Sequence, residues 1–353
     1  MYYVIVKINQ RAIATELNIS TATVSKSLRN SPQIRPETRA QVIELAARMG
    51  YRPSSVRHDK FTPVKAGKKP TSIGLLIQTD ETVGSPAIPH ANMVLAGVSE
   101  AGAAADISIT VHHVPLHDRE RFAEKAFQPA AMRRGELSGV VLTHYFPTDV
   151  VAALSAGMPC VSITNHYPGV RIDCVDVDHS SAMSLACDHL YGLGHRRIGF
   201  LAGPNDRSWV QARFAGYVQA LARLGLPYDP SIADIQFAAT VEDESVVRRV
   251  IEMTRAGVTA WVTPSDAIAF LWRRRFQAAG LRVPEDVSLT GVDAVPSHDG
   301  EGPLTTIRVP FQEMGLAAVR RLLDRIREPA GPVRRILMDC QLVIGQTTGP
   351  VRS

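Results

Sequence analysis

The residues whose types and spacing suggest a chemical role lie first in the run QRAIATELNISTATVSKSLRN, between Gln10 and Asn30. Small polar and basic side chains recur there on one side of a short helix that is predicted to begin at Thr21. Short side chains let a helix start approach base edges, Thr and Ala methyls can contact thymine methyls, and lysine can reach guanine acceptors. Hydroxyls beside a helix N-terminus also suit phosphate oxygens. The residues expected to contact DNA in this run are Ser20, Thr21, Ala22, Thr23, Ser25, Lys26 and Arg29.

Three short helices are predicted to position these residues. Asn9 and Ser20 are suited to cap helices that begin at the next residue, and Asn18 suits a left-handed position between them. Pro36 opens a third helix, which Gly50 ends. Helices of this size bury little apolar surface. The alternative to a DNA-reading head is therefore a plain three-helix bundle whose polar face is only solvated.

The charge distribution favours the DNA-reading alternative. Residues 1–70 hold 13 Lys/Arg and 4 Asp/Glu, a net charge of +9, whereas the remaining 26 Lys/Arg and 30 Asp/Glu give residues 71–353 a net charge of −4. A basic head on a mildly acidic body indicates a polyanion-binding module joined to a part with another role. A disordered basic tail is the competing interpretation, and the periodic apolar residues of the head argue against it.

The run IATELNISTATVSKSLRNSPQIRPETRAQVIELAARMGYRP resembles the DNA-binding head of the lactose-repressor (LacI/GalR) family of bacterial transcription regulators. The pattern small residue, Val/Ile-Ser, two variable residues, Thr-Val-Ser-Lys/Arg is specific to that family, and so are the trailing Pro-Glu-Thr-Arg and Gly-Tyr-x-Pro. The resemblance implies a helix-turn-helix head over residues 1–52. It also implies base reading by Thr21, Ala22 and Lys26, and contact of Tyr51 with the hinge and phosphate region.

The segment after Pro53 departs from the family pattern. The usual continuation is Asn-x-x-Ala-Arg-x-Leu, in which the leucine wedges into the minor groove and kinks the DNA. Here the run is SSVRHDKF, where Lys60 takes the place of the leucine and Phe61 follows one residue later. The run TPVKAGKKP then continues as a Pro/Gly/Lys linker without a helical pattern. We therefore expect an atypical hinge over residues 53–70 and a less bent operator, unless a slipped register lets Phe61 act as the wedge.

Beyond Thr71 the pattern changes to short β-branched apolar runs that alternate with helical stretches. Such alternation predicts a doubly wound α/β architecture, and eight strands over this length fit two lobes better than one sheet. Ligands of such folds bind at the carboxyl ends of the strands. The predicted strands are SIGLLIQT, ISITVHHV, GVVLTHY, CVSITN, CVDVD, RIGFLAG, AWVTPSD and VSLTGVD.

The family resemblance continues through this body, in LYGLGHRRIGFLAGP, RFAGYVQALARLGL, GLRVPEDVSLTGVD and PLTTIRVPFQEMG. The body is thereby similar to periplasmic sugar-binding proteins, whose two lobes clamp a small molecule between them. The implied fold is a three-helix helix-turn-helix head plus a two-lobed periplasmic-binding-protein-like α/β body with parallel doubly wound sheets, over residues 71–349. Lobe 1 is expected at about 71–193 and 306–336, and lobe 2 at about 194–305 and 337–349.

The resemblance also implies an effector site. Arg213 stands where the family places an effector-holding arginine, and a guanidinium fork suits vicinal hydroxyls or a carboxylate. Asp293 ends the strand VSLTGVD, where the family uses an acidic acceptor. The alternative for Arg213 is a surface arginine at a helix start, and the alternative for Asp293 is a helix N-cap. The residues expected to bind the effector are His90, Trp209, Arg213, Ser265, Asp266 and Asp293.

Two of these expectations, for Asp266 and Trp209, leave two roles open. Asp266 suits a helix cap as well as a ligand contact, and Ser265 precedes it where the family has asparagine. Trp209 suits core packing as well as ligand stacking. His90 is the one residue of its loop able to stack on a ring, because the family's aromatic pair is absent there. These changes argue against assuming an ordinary hexose.

Other function classes find little support. The sequence holds no GxGxxG after a strand, GxxxxGK[ST], HExxH or GxSxG motif, so no enzyme activity, catalytic residue or cofactor is expected. The cysteines form no CxxC pair and His112 and His113 alternate on a strand, so no metal site is expected. No run approaches the roughly 18 apolar residues of a membrane span.

We expect a cytoplasmic homodimeric repressor of a catabolic or transport operon, binding a palindromic operator and a sugar-like effector. The rival is a small-molecule-binding protein with a vestigial head.

Overall fold

The computed structural model describes residues 10–28, 31, 33–49, 72–79, 90–201, 208–233, 243–295 and 302–352. The head consists of α1 (Gln10–Glu16), α2 (Thr21–Leu28) and α3 (Pro36–Arg48). Asn18 has a φ of 51° between α1 and α2, the left-handed conformation that the sequence predicts there. All three helices contribute to one small apolar core. Its buried members are Ile13, Ala14, Val24, Val42, Leu45 and Ala46.

The body is built from strands and helices that alternate along the chain. The helices are α4 (Ala91–Ala105), α5 (Ala130–Arg133), α6 (Thr148–Gly157), α7 (His179–Gly192), α8 (Ser208–Arg223), α9 (Glu244–Arg255), α10 (Asp266–Ala278) and α11 (Phe311–Arg327). The strands are β1 (Ser72–Thr79), β2 (Ser108–Pro115), β3 (Val140–Leu142), β4 (Cys160–Ile163), β5 (Asp173–Val177), β6 (Ile198–Phe200), β7 (Ala260–Val262), β8 (Ser288–Asp293), β9 (Thr305–Arg308), β10 (Arg335–Met338) and β11 (Gln341–Val343).

The strands form two sheets in the part of the chain that the structure describes. One sheet has the order β10-β5-β4-β3-β1-β2 and the other the order β11-β9-β8-β7-β6. Every strand pair from β1 to β5 and from β6 to β9 is parallel, and β11 pairs antiparallel with β9. All eight strands predicted from the sequence are present, and the doubly wound α/β class is confirmed. The sequence interpretation missed β9, β10 and β11.

The chain divides into two compact units. The first comprises the described residues up to Asp176 together with Phe311–Ile336, and the second comprises Val177–Pro310 and Leu337 onward. The sequence interpretation placed the first passage of the chain between the two units near residue 194. The structure places it after Asp176, so that α7 belongs to the second unit. The reason is close packing of α7 on α8: a Cβ on Gly216 would lie 2.9 Å from the His179 carbonyl oxygen.

Helices α4 and α11 of the first unit touch through backbone atoms. A Cβ on Gly97 would lie 1.8 Å from the Gln312 carbonyl oxygen, and one on Gly315 would lie 2.4 Å from the Val94 carbonyl oxygen. Only glycine permits so close a helix crossing. Helix α3 of the head also packs against α4 and β2.

A buried carboxylate joins α11 to β5. Asp173 is fully buried, and Arg325 donates to it through two nitrogens at 2.8 and 3.0 Å. The Arg321 side chain approaches the same carboxylate at 3.1 Å, and the Arg334 amide donates to it at 2.7 Å. Burial alone would raise the pKa of Asp173, but these hydrogen bonds and charges outweigh it and hold the pKa below its ordinary value.

His195 holds the C-terminal segment of the second unit in place. Its Nε2 lies 3.0 Å from the Gly349 carbonyl oxygen, which can only accept, so Nε2 carries the proton. Burial lowers the pKa of His195 and so favours the neutral imidazole. In that form Nδ1, which lies 2.8 Å from Thr259 Oγ1, accepts from the hydroxyl group. The LGHRR turn thus has a structural role.

All four cysteines are buried thiols. Burial raises the pKa of Cys160, Cys174 and Cys187 to about 12. A buried thiol with so high a pKa stays protonated and reacts slowly. Among the described residues, no helix is both long enough and apolar enough to cross a membrane.

Candidate DNA-reading and effector sites

The reading helix α2 begins with a side-chain cap. Ser20 Oγ accepts the Thr23 amide at 3.0 Å and lies 2.8 Å from Thr23 Oγ1. Val24 is fully buried in the head core, which fixes the opposite side of the helix outward. Thr21, Ala22 and Lys26 are exposed on that outward side, and Thr23 and Ser25 are half-buried. The structure thus brings six of the eight residues expected to contact DNA onto or beside one short helix.

The loop between α2 and α3 is held from within the head. Arg39 is buried, and its Nη2 donates to the carbonyl oxygens of Ser31 and Ile34 at 2.7 and 2.8 Å. Lys26 Nζ in turn donates to Gln33 Oε1 of this loop at 2.9 Å. A lysine ammonium has three N–H donors, so Lys26 can keep or exchange this exposed hydrogen bond when it contacts a base.

Two expected DNA contacts, Arg29 and Tyr51, lie outside the described residues, and so does the atypical hinge at residues 53–70. The expected bending behaviour of SSVRHDKF therefore remains a prediction from the sequence.

The candidate effector cluster is organised around Arg213, a buried residue of α8. Its Nε donates to Nδ1 of His179 at 3.3 Å, and its Nη1 donates to the Pro264 carbonyl oxygen. Asp293 Oδ1 lies 3.7 Å from Nη1. Trp209 lies with its ring 4.9 Å from the guanidinium carbon, a cation–π distance. These contacts fix the guanidinium plane before any ligand arrives.

Two aromatic residues expected at the effector site contact other protein groups. The Trp209 ring stacks on Arg213, so it supports the arginine rather than packing in an apolar core. The His90 ring lies parallel to Phe311, with a centroid distance of 4.2 Å and an interplanar angle of 7°. His90 and Phe311 belong to the first unit, whereas the Arg213 cluster belongs to the second.

The acidic residues of the cluster differ in their surroundings. Asp266 is 1% exposed, Oδ1 accepts from Thr306 Oγ1 at 2.6 Å, and Oδ2 accepts the Val295 amide at 2.9 Å. Ser265 caps α10 instead, through Oγ accepting the Ile268 amide at 3.4 Å. Asp293 keeps its carboxylate beside Arg213, with 14% of its side chain exposed.

Burial dominates the titration of both carboxyl groups. Burial raises the pKa of Asp293 to about 7, and the nearby Asp266 charge adds to the rise while Arg213 opposes it. Burial also raises the pKa of Asp266, against the donors Thr306, Val295 and Ala294. A carboxyl group whose pKa lies near neutral pH exists in both protonation states there. Beside a fixed guanidinium it can therefore accept a hydrogen bond from, or donate one to, a hydroxyl group of a polar ligand.

Sequence reasoning missed two members of this cluster, His179 and Thr306. His179 follows the strand CVDVD and begins α7, a position where polar residues of α/β folds meet ligands, so the strand-end rule could have found it. Thr306 lies on β9, which was not recognised as a strand. No group of three or more His, Cys, Asp or Glu side chains able to hold a metal ion occurs among the described residues.

The head is basic and its reading helix is capped, and one of the two α/β units carries a buried polar cluster. These features are typical of a DNA-binding regulator whose body binds a ligand. Comparison with known proteins gives the family. Residues 11–54 match the model of the bacterial regulatory proteins of the lacI family, and residues 187–348 match the periplasmic binding protein-like domain. The head thus has a lacI-family DNA-binding domain and the body a periplasmic binding protein-like domain, the domain pair of DNA-binding transcription regulators.

Individual relatives agree over nearly the whole chain. The HTH-type transcriptional repressor CytR of Escherichia coli (strain K12) is 28% identical over 342 residues, which cover 95% of each chain. A solved complex of the transcriptional regulator CelR with cellobiose has a TM-score of 0.66 at 24% identity and covers 96% of this chain and 99% of that one. A lac repressor dimer bound to operator and the anti-inducer ONPF has a TM-score of 0.63 at 23% identity, covering 98% and 100%. These two structural likenesses show the fold.

Proposed function

We propose that this chain is a cytoplasmic, ligand-responsive repressor of a catabolic or transport operon. It binds a palindromic operator as a homodimer and responds to a small polar metabolite, a sugar or a related compound, held by the Arg213 cluster. The observation that carries the DNA-binding part is the outward face of α2, where exposed Thr21, Ala22 and Lys26 follow a capped helix start. The dimer follows from specificity, since one small head contacts few bases and two heads on a palindrome roughly double the specific free energy.

The effector part is supported by the fixed guanidinium of Arg213. Two hydrogen bonds and the Trp209 ring hold it, while the Asp293 carboxyl group lies beside it at 3.7 Å. Such a donor and acceptor pair suits adjacent hydroxyl groups of a polar ligand. CelR, whose complex with cellobiose has the same fold, gives a precedent for a sugar in this family. A ligand shifts DNA affinity only by binding one of two protein states more tightly.

The experiment that tests the proposal starts by selecting DNA from a random library with the full-length protein. The affinity for the selected sequence and for a scrambled one is then measured over a salt series. A sequence-reading dimer selects a palindrome and shows a steep salt dependence. If no sequence is enriched and the salt dependence is shallow, the head is vestigial and the rival small-molecule-binding function replaces this one.

Lys26→Ala tests the placement of the reading helix. Loss of a base contact costs about 1–3 kcal/mol per half-site and relaxes the preference at that base pair. Lys125→Ala is the matched control, because it removes an exposed lysine of the body and leaves the head unchanged. Gln33→Ala removes the intramolecular partner of Lys26, so it should leave operator affinity unchanged or higher. Equal operator affinities for Lys26→Ala and wild type would show that α2 does not read the bases.

A further inference from the structure

The turn after β8 holds two non-glycine residues with positive φ. Asp293 has a φ of 126° and Ala294 a φ of 57°. L-amino acids rarely adopt such values, and they persist where the surroundings hold them, commonly at binding sites. The consequence of this turn is that the Asp293 carboxyl group lies 3.7 Å from Arg213.

The group that holds the turn is the carboxylate of Asp266, at the start of α10. It accepts the Val295 amide at 2.9 Å, the hydrogen bond that ties the end of the turn to α10. The Ala294 amide also favours the charge of Asp266, and the Asp266 amide favours the charge of Asp293. Both strained residues therefore lie within the segment that the Asp266–Val295 hydrogen bond holds.

Space for this link is built into the neighbouring strands. Asp266 Oδ1 fills the place where a side chain on Gly291 would lie, because a Cβ there would be 2.2 Å from it. Thr306, the β9 residue opposite Gly291 in the sheet, donates its hydroxyl to the same oxygen at 2.6 Å. The glycine of the GVD run is thus required by Asp266, independently of any ligand.

Neither role that the sequence offered for Asp266 fits these contacts. At 1% exposure, with both oxygens accepting protein donors, its carboxylate presents no surface to a ligand. The side-chain cap of α10 is Ser265. We propose that Asp266 is a positioning residue: it fixes the strained Asp293–Ala294 turn, whereas Asp293 and Arg213 touch the effector. This inference rests on the proposed function for the effector contact itself, whereas the link to the turn stands on the geometry alone.

The charge of Asp266 has a separate, opposing effect. Two charged groups act on Asp293 directly: Arg213 on α8, at 3.7 Å, and Asp266 on α10. His179 of α7 is a third titratable group nearby, and it is hydrogen-bonded to Arg213. The Asp266 charge adds to the rise in the pKa of Asp293. Removing that charge while keeping an acceptor oxygen should therefore preserve the turn and lower the pKa of Asp293.

Asp266→Asn and Asp266→Ala separate these two effects in the full-length protein without ligand. An asparagine can keep its oxygen toward the Val295 amide, because the Thr306 hydroxyl can rotate to accept from its nitrogen. Hydrogen exchange of the Val295 amide should rise about tenfold or more in Asp266→Ala and stay near wild type in Asp266→Asn. Thr306→Val is the control: it removes the other donor to Asp266 and should leave exchange at the turn unchanged.

Carbon-13 titration of the Asp293 carboxyl group supplies the second readout. Asp266→Asn should lower the pKa of Asp293 while the Val295 amide stays protected, a change that a purely structural role would not produce. Exchange in Asp266→Ala equal to wild type, or in Asp266→Asn equal to Asp266→Ala, would overturn the proposal. Operator binding by the wild-type protein is measured in parallel. Failure of the wild-type protein to bind DNA would overturn the proposed function and leave the exchange result standing.

Discussion

Replacing Gly97 by alanine would force apart two helices that touch through their backbones. The added Cβ would lie 1.8 Å from the Gln312 carbonyl oxygen of α11, and a backbone atom has no rotamer by which to move away. Relief requires the whole of α11 to shift, and such overpacking typically costs about 1–3 kcal/mol. Alanine is the better helix former by about 1 kcal/mol, which offsets part of the loss. We expect a net destabilisation of about 1–2 kcal/mol.

Gly192→Ala is the matched comparison for this prediction. Gly192 ends α7, and a Cβ there meets no atom within 4 Å. It should leave stability unchanged or raise it by up to about 1 kcal/mol. Urea denaturation followed by circular dichroism measures both midpoints. If Gly97→Ala unfolds at the same urea concentration as Gly192→Ala, the two helices do not cross as closely as the structure has them.

Two further changes probe the buried polar groups. Asp173→Ala leaves the Arg325 guanidinium buried without its carboxylate, which should cost about 3–5 kcal/mol in urea denaturation, whereas Asp324→Asn, at an exposed ion pair of the same helix, should cost under about 1 kcal/mol. Because the folded-state pKa of His195 lies below its ordinary value of 6.5, its contribution is complete above about pH 6.5 and is lost as the pH falls. The free energy of unfolding from urea denaturation should therefore decrease as the pH is lowered from about 7.5 to about 5.5. This group contributes up to about 1.4 kcal/mol per pH unit, so the decrease should be shallower in His195→Gln. An equal pH dependence in His195→Gln, or a cost for Asp173→Ala no larger than for Asp324→Asn, would contradict the assigned roles.

The success of the sequence interpretation depended on how strongly each element is patterned. Apart from β2, the strands β1 to β8 are mostly buried apolar runs, and their composition identified them. In contrast, β10 and β11 alternate between exposed and half-buried residues, so their apolar signal is weak. The head helices were predicted closely because caps and turn residues such as Ser20 and Asn18 act locally.

The candidate effector site was less accessible to sequence reasoning. Arg213 and Asp293 came from a family resemblance, and the structure places them together. The role of His179 depends on a contact with Arg213 across 34 positions of sequence, which no local pattern encodes. The link from Asp266 to the turn after β8 depends on backbone angles at Asp293 that composition does not reveal.

The burial of all four cysteines has a practical consequence for following this protein in action. Thiol reagents modify exposed thiolates, and the thiols of Cys160, Cys174 and Cys187 are both covered and held protonated. The unmodified chain is therefore a nearly silent background for site-specific labelling. Glu16→Cys would add one exposed thiol at the end of α1 in the head. A fluorophore pair attached there in a dimer would report the distance between the two heads as effector and operator are added.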